Sequence, residues 1–506
     1  MATEIIDTRL KFQLMFWYCV IGFSALVLGY FLAANLLTIA LMVCGVAWLV
    51  LLPYHAQLSF KVAVGTFGSA LILPFLPGRP YFWEFAALLG WSGVVMTITL
   101  RNYTHEFKDT MRQNRWLFVG LAGYIVVLAV TMVYRGFGLR ILGSGQVGGR
   151  FYFQQLVCAV FPLLFALIRV DEATLMRLIK WQWLMTGTYI ISDFVFSVAS
   201  ERFWVILYFL ELANDALNFE IQNLQFGIRR FQSLAFFGQG FIFFMLVYFN
   251  LRDFFRSRAI WLLPVAIGTF GISLLSGHRW VVLILCFTLL FCGYAQRFFQ
   301  WHNVAFVTGV LVALLTFVYG FSDRLPLAFQ RSVSFLPGVR IQNVTRTDAD
   351  NTMKLRKTMF TVGLNLIPQY LWMGRGFARY MDDWGAYYDP TTITAHINQG
   401  KFYNGFIGLM INTGVFGTLF MLTFILTGTR VAWQIIMHLR QYGCEDDFSR
   451  ICSVVAGFWM ANVLAFLILH GDSEYAMKTF SLQAGVMLIC HVLLRRRLTA
   501  PDAQPA

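Results

Sequence analysis

The sequence predicts an all-α fold, a polytopic transmembrane helical bundle of about 12–14 spans with one long extracytoplasmic loop that itself contains helices. Composition is the first observation behind this expectation: 58% of the 506 residues are hydrophobic and only 13% charged, whereas a soluble globular chain carries about 25% charged residues. The second is a mean hydropathy of +0.65 with 17% aromatic residues. The third is that the apolar residues fall in runs of about 17–22, each long enough to span a bilayer. There are too many such runs for one soluble core.

In chain order the runs lie near residues 12–30, 34–53, 60–77, 82–100, 116–134, 151–168, 181–199, 233–250, 259–276, 280–296, 303–321, 404–428, 452–469 and 479–494. The first lacks a small-residue cleavage site and leads straight into the second, so it reads as a span and not as a secretory signal. The stretch WVILYFLELAND, residues 204–215, reads as a short re-entrant or interfacial helix.

Lysine and arginine set the orientation. With a cytoplasmic N-terminus, the short cytoplasmic segments hold twenty Lys and Arg, including Arg101, Lys108, Arg112, Arg115 and the tail Arg495, Arg496 and Arg497, against nine in the short outer segments. Residues 1–321 then carry helices one to about eleven, residues 322–403 form the long outer loop, and residues 404–506 carry the last helices and a short cytoplasmic tail. Within the loop, KLRKTMFTVGLNLIPQYLW places Leu355, Met359, Val362 and Leu366 on one helical face, and GRGF ends the pattern. A small ordered cap on the membrane is expected. No internal repeat is visible, so the inverted repeats of many transporters have no support.

The net charge of +14 would point to nucleic acid in a soluble chain. Here cations at membrane ends account for it, and no nucleic-acid partner is implied. None of the eight cysteines lies in an outer loop, so no disulfide is implied there. No Cys/His spacing suits zinc.

Eight of the nine cations in the short outer segments are arginine, among them Arg229 and Arg230 in IRRFQSLAFFGQG and Arg279 in SGHRW; Lys478 is the ninth. The long loop adds Arg356, between Lys354 and Lys357. Arginine presents a planar fork of donors that stays charged and binds phosphate in a bidentate way. Several at one membrane surface suit a diphosphate carried on a lipid, whereas any one alone equally suits headgroup contact or snorkelling. Two acids fall inside apolar runs, Glu84 and Asp193. Glu84, near a span end, is expected to snorkel. Asp193, in YIISDFVF, is deeper and is expected to pair with an arginine at the outer face.

Residues 225–430 resemble the O-antigen polymerase and O-antigen ligase superfamily of bacterial membrane glycosyltransferases. The landmarks occur in order: Arg230 in RFQSLAFFGQG; Arg279 in SGHRW; then Arg356, Pro368, Gly374 and Gly376 in the long loop; then Tyr403-Asn404 and Gly414-Val-Phe-Gly417 entering a span. Arg229 and Gly240 add an Arg-x10-Gly match associated with the polymerases. The chain departs from the family where Tyr403 stands at the usual histidine, while His396 lies seven residues earlier. Either His396 takes that role, or Tyr403 and Asn404 only position substrate, or the register differs.

The resemblance implies glycosyl transfer from an undecaprenyl-pyrophosphate donor to a glycan acceptor at the periplasmic face of the bacterial inner membrane. It implies a metal-independent enzyme without a cofactor, working beside a chain-length regulator or a flippase. The implied catalytic residues are His396, Arg279 and Arg230, with His396 as general base and the arginines stabilising the departing pyrophosphate. Arg229, Arg356, Tyr403, Asn404 and His278 are the implied substrate-binding residues, with His278 a second choice as base. Asp382-Asp383 in MDDW reads as a solvated loop rather than a metal site. The first outer loop, near residues 31–34, is short and has no acid, unlike that of oligosaccharyltransferase-type enzymes. A missing His-Asn pair favours polymerase over ligase. A transporter of lipid-linked sugars is the rival of another class.

Overall fold

A computed structural model of the protein describes residues 30, 37–74, 76, 79–101, 103, 105–139, 146–199, 201–212, 231–255, 261–380, 393–469 and 471–499. Residues 1–55 and 56–506 form two separate compact units. The first contains α1 (Leu37–Val50), an apolar helix, followed by a short turn in which the Trp48 ring packs edge-on to His55 at 4.7 Å.

The second unit is helical nearly throughout. Its helices include α2 (His55–Thr66), α3 (Phe82–Thr99), α4 (Arg115–Arg135), α5 (Gly149–Cys158), α6 (Val160–Leu167), α7 (Glu172–Met185), α8 (Thr188–Ala199), α9 (Gln232–Tyr248), α10 (Leu262–Leu274), α11 (Arg279–Ala295) and α12 (Trp301–Phe321), with further ones at His105–Gln113 and Trp204–Phe209. There follow α13 (Leu327–Val333), α14 (Asn343–Tyr370), α15 (Ile393–Gln399), α16 (Gly405–Tyr442), α17 (Asp447–Leu464) and α18 (Ala476–Thr499). Two residues each from Gln146–Val147 and Arg379–Tyr380 pair antiparallel.

Among the described residues, seven helices are long and apolar enough to cross a membrane: Phe82–Thr99, Arg115–Arg135, Gly149–Leu167, Trp301–Arg324, Gly405–Tyr442, Asp447–Ile468 and Ser473–Arg497. The outward faces are apolar as well. Val126, Val130 and Val133 on α4 and Leu419 and Leu426 on α16 are exposed. No residue of α12 is buried, though the helix is apolar all round. Exposed apolar faces of this extent belong against lipid, not water.

Two expected spans take a different form. The 60–77 run is helical only to Thr66. Gly68 then turns at a φ of 78°, and Leu71 and Ile72 form bridges to Leu210 and Tyr81. The run was apolar enough but had no long helix in it. The 181–199 run is broken between α7 and α8, where the hydroxyls of Thr186 and Thr188 bond back to the carbonyls of Trp183 and Met185. Of the 204–215 stretch, Trp204–Phe209 is helical, and residues 213–215 lie outside the described residues.

The core joins helices from both halves of the chain around Trp83, Tyr124, Phe161, Phe243, Trp459 and Phe480, all almost fully buried. Helices α4 and α16 approach each other closely. A Cβ at Gly120 would sit 2.6 Å from the Phe424 amide nitrogen, so only glycine admits this contact.

The 38-residue α16 is broken at Gly414, whose φ of 69° and ψ of −173° are non-helical. This conformation is essentially restricted to glycine. The freed backbone groups are taken up by the segment that follows α14. Val415 N donates to Leu371 O at 2.7 Å, Arg375 N to Ile411 O at 2.7 Å and Gly376 N to Asn412 O at 2.9 Å. The Gly374-x-Gly376 landmark therefore plugs the Gly414-x-x-Gly417 landmark. We expect Gly414→Ala to destabilise the protein by about 1–3 kcal/mol, because its Cβ would also meet the Trp372 carbonyl at 2.6 Å. Thermal unfolding of the detergent-solubilised variant checks this, and an unchanged midpoint rejects it.

Candidate functional site

The cap expected from the long loop is built of α13, α14 and α15. Met359 of α14 is fully buried with Phe402, Ile407 and Ile411, and Leu355 and Leu366 pack on the same cluster. The expected helical face thus docks on the first turns of α16.

Arg331 on α13 clamps the cap. Its Nε meets the Asp348 carboxylate at 2.6 Å, its Nη2 donates to Thr352 Oγ1 at 3.1 Å, and its Nη1 donates to the Gly277 carbonyl. Arg279, at the start of α11, reaches the same turn. Its Nε donates to Arg331 O at 3.3 Å and its Nη2 to Ser334 Oγ at 2.6 Å. Two arms of the Arg279 guanidinium are thus engaged in holding the cap. His278 is the residue before α11; its amide donates to Ser276 Oγ at 3.2 Å.

Arg356, two turns along α14 from Asp348, lies over the Tyr403 ring at 5.6 Å. Its Nε is buried and has no hydrogen-bond partner among the described residues. Burial holds its guanidinium below the usual pKa, Tyr403 and Asp472 act the other way, and nearby Arg331 adds to the lowering. A buried cation with a second cation in reach is a place where an anion is stabilised.

Tyr403 and His396 lie side by side. The Tyr403 hydroxyl lies 3.3 Å from His396 Nδ1, and the two rings are 5.8 Å apart. The two candidates form one dyad beside Arg356. His396 is only 6% exposed. The Tyr403 phenol is pushed up to about 12 by burial and by Asp472, with Arg356 opposing, so it stays a neutral hydroxyl across the working range. Its backbone adopts a φ of 55°, a strained conformation for a residue with a side chain. The next residue, Asn404, caps α16. Its Oδ1 accepts from Ile407 N and its Nδ2 donates to Leu467 O, both at 3.1 Å. That is a structural use of the side chain.

A second polar group lies just behind. Glu474 is 1% exposed, with Lys401, Arg375, Arg379 and Asp472 in electrostatic reach. Arg375 Nε donates to Asn412 Oδ1 at 3.0 Å, and Asn412 Nδ2 donates to Ser473 Oγ at 2.8 Å. Glu474 Oε1 and Asp472 Oδ1 are buried without a hydrogen-bond partner among the described residues.

The turn that carries Asp472 and Glu474 leads directly into a cavity of about 980 Å³. The first turns of α3, α9, α11 and α18 reach it through Trp83, Gln232, Trp280 and Lys478. Helix N-termini carry partial positive charge. Trp280 connects the cavity to Arg279, and Tyr475 connects it to Glu474 by direct sequence neighbourhood.

Of the sequence-predicted residues, the structure brings Arg279, Arg356, His396, Tyr403 and Asn404 to the underside of the cap. Arg229, Arg230 and Asp382-Asp383 lie outside the described residues. Gly240 has a packing reason: its Cβ would fall 2.3 Å from Thr186 Oγ1, just beyond the end of α7. Glu84 does not snorkel. It is 6% exposed, accepts from the Tyr81 amide at 3.1 Å and takes a hydrogen bond from Gln154. The orphan N–H groups at the start of α3 hold it inside. Asp193 Oδ2 accepts from Ser233 N at 3.3 Å, in the first turn of α9. Sequence reasoning missed Arg331, Arg375, Asp472, Glu474 and the cavity. The available signals were the acids in HGDSEY and the lone amides inside apolar runs.

By length and composition the seven long helices define a helical membrane protein. The chain matches no family model, and no curated protein is similar to it at a significant level.

Proposed function

We propose that the protein is an integral membrane glycosyltransferase that moves a glycan from an undecaprenyl-pyrophosphate donor onto an acceptor sugar, as an O-antigen or exopolysaccharide polymerase does. On this reading it lies in a bacterial inner membrane with about 12–14 spans, and the cap over residues 322–403 faces the periplasm.

The observation that carries the reading is the His396–Tyr403 dyad with the Arg356 guanidinium over the Tyr403 ring, and with Arg331 in electrostatic reach of Arg356 and joined to Arg279 in the cap. In the reaction, the acceptor hydroxyl loses its proton to His396 Nε2 as its oxygen attacks the anomeric carbon. The bond from that carbon to the pyrophosphate oxygen breaks, and the departing oxygen keeps the electron pair. Arg356, with its unpartnered buried Nε, meets the charge that develops there. Tyr403 orients the imidazole through Nδ1. Fixed donors of this kind contribute about 10²–10³-fold each in a water-poor site.

The test is the glycan profile of cells whose only copy carries Arg356→Ala. Loss of long chains with single repeat units left on the lipid carrier is the expected result. Long chains stranded on undecaprenyl pyrophosphate would make the protein a ligase. Lipid-linked units retained on the cytoplasmic face would make it a transporter. A normal profile with normal protein levels would reject the arginine site.

A further inference from the structure

The cavity under α3, α9, α11 and α18 asks for a ligand of one chemistry. Its volume of about 980 Å³ is at the upper end of the roughly 300–1,000 Å³ range of ligand sites. Amides line it on several sides: Gln182 on α7, Gln239 on α9, Asn462 on α17 and Gln483 on α18. Flat rings fill the spaces between them, among them Trp83, Trp183, Trp280 and Phe236.

Three charged groups line this space: Lys478, Glu211 and Arg79, the last with its Nη2 already donating to the Leu207 and Tyr208 carbonyls at 3.3 and 3.4 Å. Lys478 Nζ rests over the rings of Tyr81 at 4.5 Å, Trp83 at 5.3 Å and Tyr475 at 5.5 Å. Glu84 and Glu211 act on it from a distance. Glu211 lines the cavity, and its Oε2 is buried without a hydrogen-bond partner among the described residues.

Asn462 Nδ2 already donates to Gln483 Oε1 at 3.3 Å, but a lipid tail in this space would leave the Gln182 and Gln239 amides and Glu211 Oε2 unmatched, at a cost of about 1–3 kcal/mol for each buried group. A simple anion would match Lys478 and oppose Glu211. Hydroxyl groups donate and accept alike, so a polyhydroxylated ring satisfies both charges and the amides at its edge. The faces of such a ring, made of C–H groups, lie against the tryptophans.

We propose that this cavity is a carbohydrate-binding site, with Lys478, Glu211 and Gln239 holding sugar hydroxyls and Trp183 and Trp280 the ring faces. The assignment deepens the transferase reading and rests on it only for the use made of the bound sugar, which is to hold the acceptor chain beside the His396–Tyr403 dyad.

The test is binding of short oligosaccharides, two to four sugars long, released from the cell's own envelope polysaccharide and tagged at the reducing end. The full-length protein in detergent is titrated by fluorescence anisotropy. Wild type is expected to bind saturably. Lys478→Met and Gln239→Leu are each expected to bind at least tenfold more weakly, while Val126→Ala on the outward face of α4 binds as wild type. Glu211→Gln, which keeps the shape, serves as a further variant should Lys478→Met fail to fold. Absence of saturable binding, equal binding by all folded variants, or displacement by an alkyl phosphate but not by untagged sugar overturns the assignment. If wild type binds and the cavity variants do not, yet cells make no polymer through this protein, the transferase reading fails and the cavity assignment stands. If Arg356→Ala abolishes polymer while Lys478→Met binds as wild type, the reverse holds.

Discussion

Replacing His396 with alanine is expected to slow glycosyl transfer by about 10²–10⁴-fold, with the protein still present in the membrane at wild-type amounts. The reason is placement as much as identity. An imidazole is the side chain suited to taking a proton near neutral pH, and this one is aligned by the Tyr403 hydroxyl 3.3 Å from Nδ1. Tyr403→Phe removes that contact but keeps the ring under Arg356, so it is expected to lose less. The measurement is turnover of purified lipid-linked repeat units in vesicles, across pH. A wild-type rate that falls toward acid and a His396→Ala rate that is low and flat identify a base. Undiminished turnover in His396→Ala removes it from the mechanism, and equal losses in both variants make the pair structural.

Arg331→Ala is expected to release the cap, at a cost of about 3–5 kcal/mol. The Arg331 and Asp348 side chains are 8% and 9% exposed and meet at 2.6 Å. Deleting one leaves the other charge buried without its partner, which is worse than having neither. Arg331 also ties α13 to Thr352 and to the 277 carbonyl, so one side chain joins two cap helices to the start of α11. Hydrogen exchange over residues 343–356 is the readout. Fast exchange in Arg331→Ala, with partial recovery in Arg331→Lys, follows from a fork that lysine reproduces as charge but not as geometry. The double variant Arg331→Met, Asp348→Leu is expected to recover much of the protection, since an apolar pair can replace a buried ionic one. Wild-type exchange in Arg331→Ala would show that the cap is held by the Met359 cluster alone.

How much of this was legible beforehand follows from the range of each signal. Hydrophobic length is local, so α3, α4, α12 and the long α16 could be read from single runs. Periodicity is local too, and it found Leu355, Met359 and Leu366 as the docking face of α14. Residues 60–77 are apolar enough for a span, but the backbone turns at Gly68, and composition does not register a left-handed glycine. The site depends on pairings far apart in the chain. Arg331 sits among many cations of one loop, and only its meeting with Asp348 and Gly277 sets it apart. Asp472 and Glu474 lie in a short connection that invited no reading. Gln239, Asn462, Gln483 and Lys478 each stand as one polar residue in or beside an apolar run. Polar groups so placed are functional hypotheses by default, and their convergence appears only when three helices are packed together. The sequence offers His396 and Tyr403 as alternatives, and no sequence rule says that seven residues return a side chain to its neighbour through a left-handed turn.

The break at Gly414 divides α16 into parts with different mechanical allegiance. Residues 405–413 share hydrogen bonds with the segment after α14 and bury Ile407 and Ile411 against Met359. Beyond the break, the helix is wedged against α4 at Gly120. The first turns are therefore held on both sides, since Leu409 joins the main core and Gly408 lies against Ser473, and the remainder is anchored in the bundle. A glycine with no side chain is the joint between them. Beside this joint Asn412 is hydrogen-bonded to both Arg375 and Ser473. One amide side chain thus ties the segment after α14 to the turn before α18, a splice between cap and bundle.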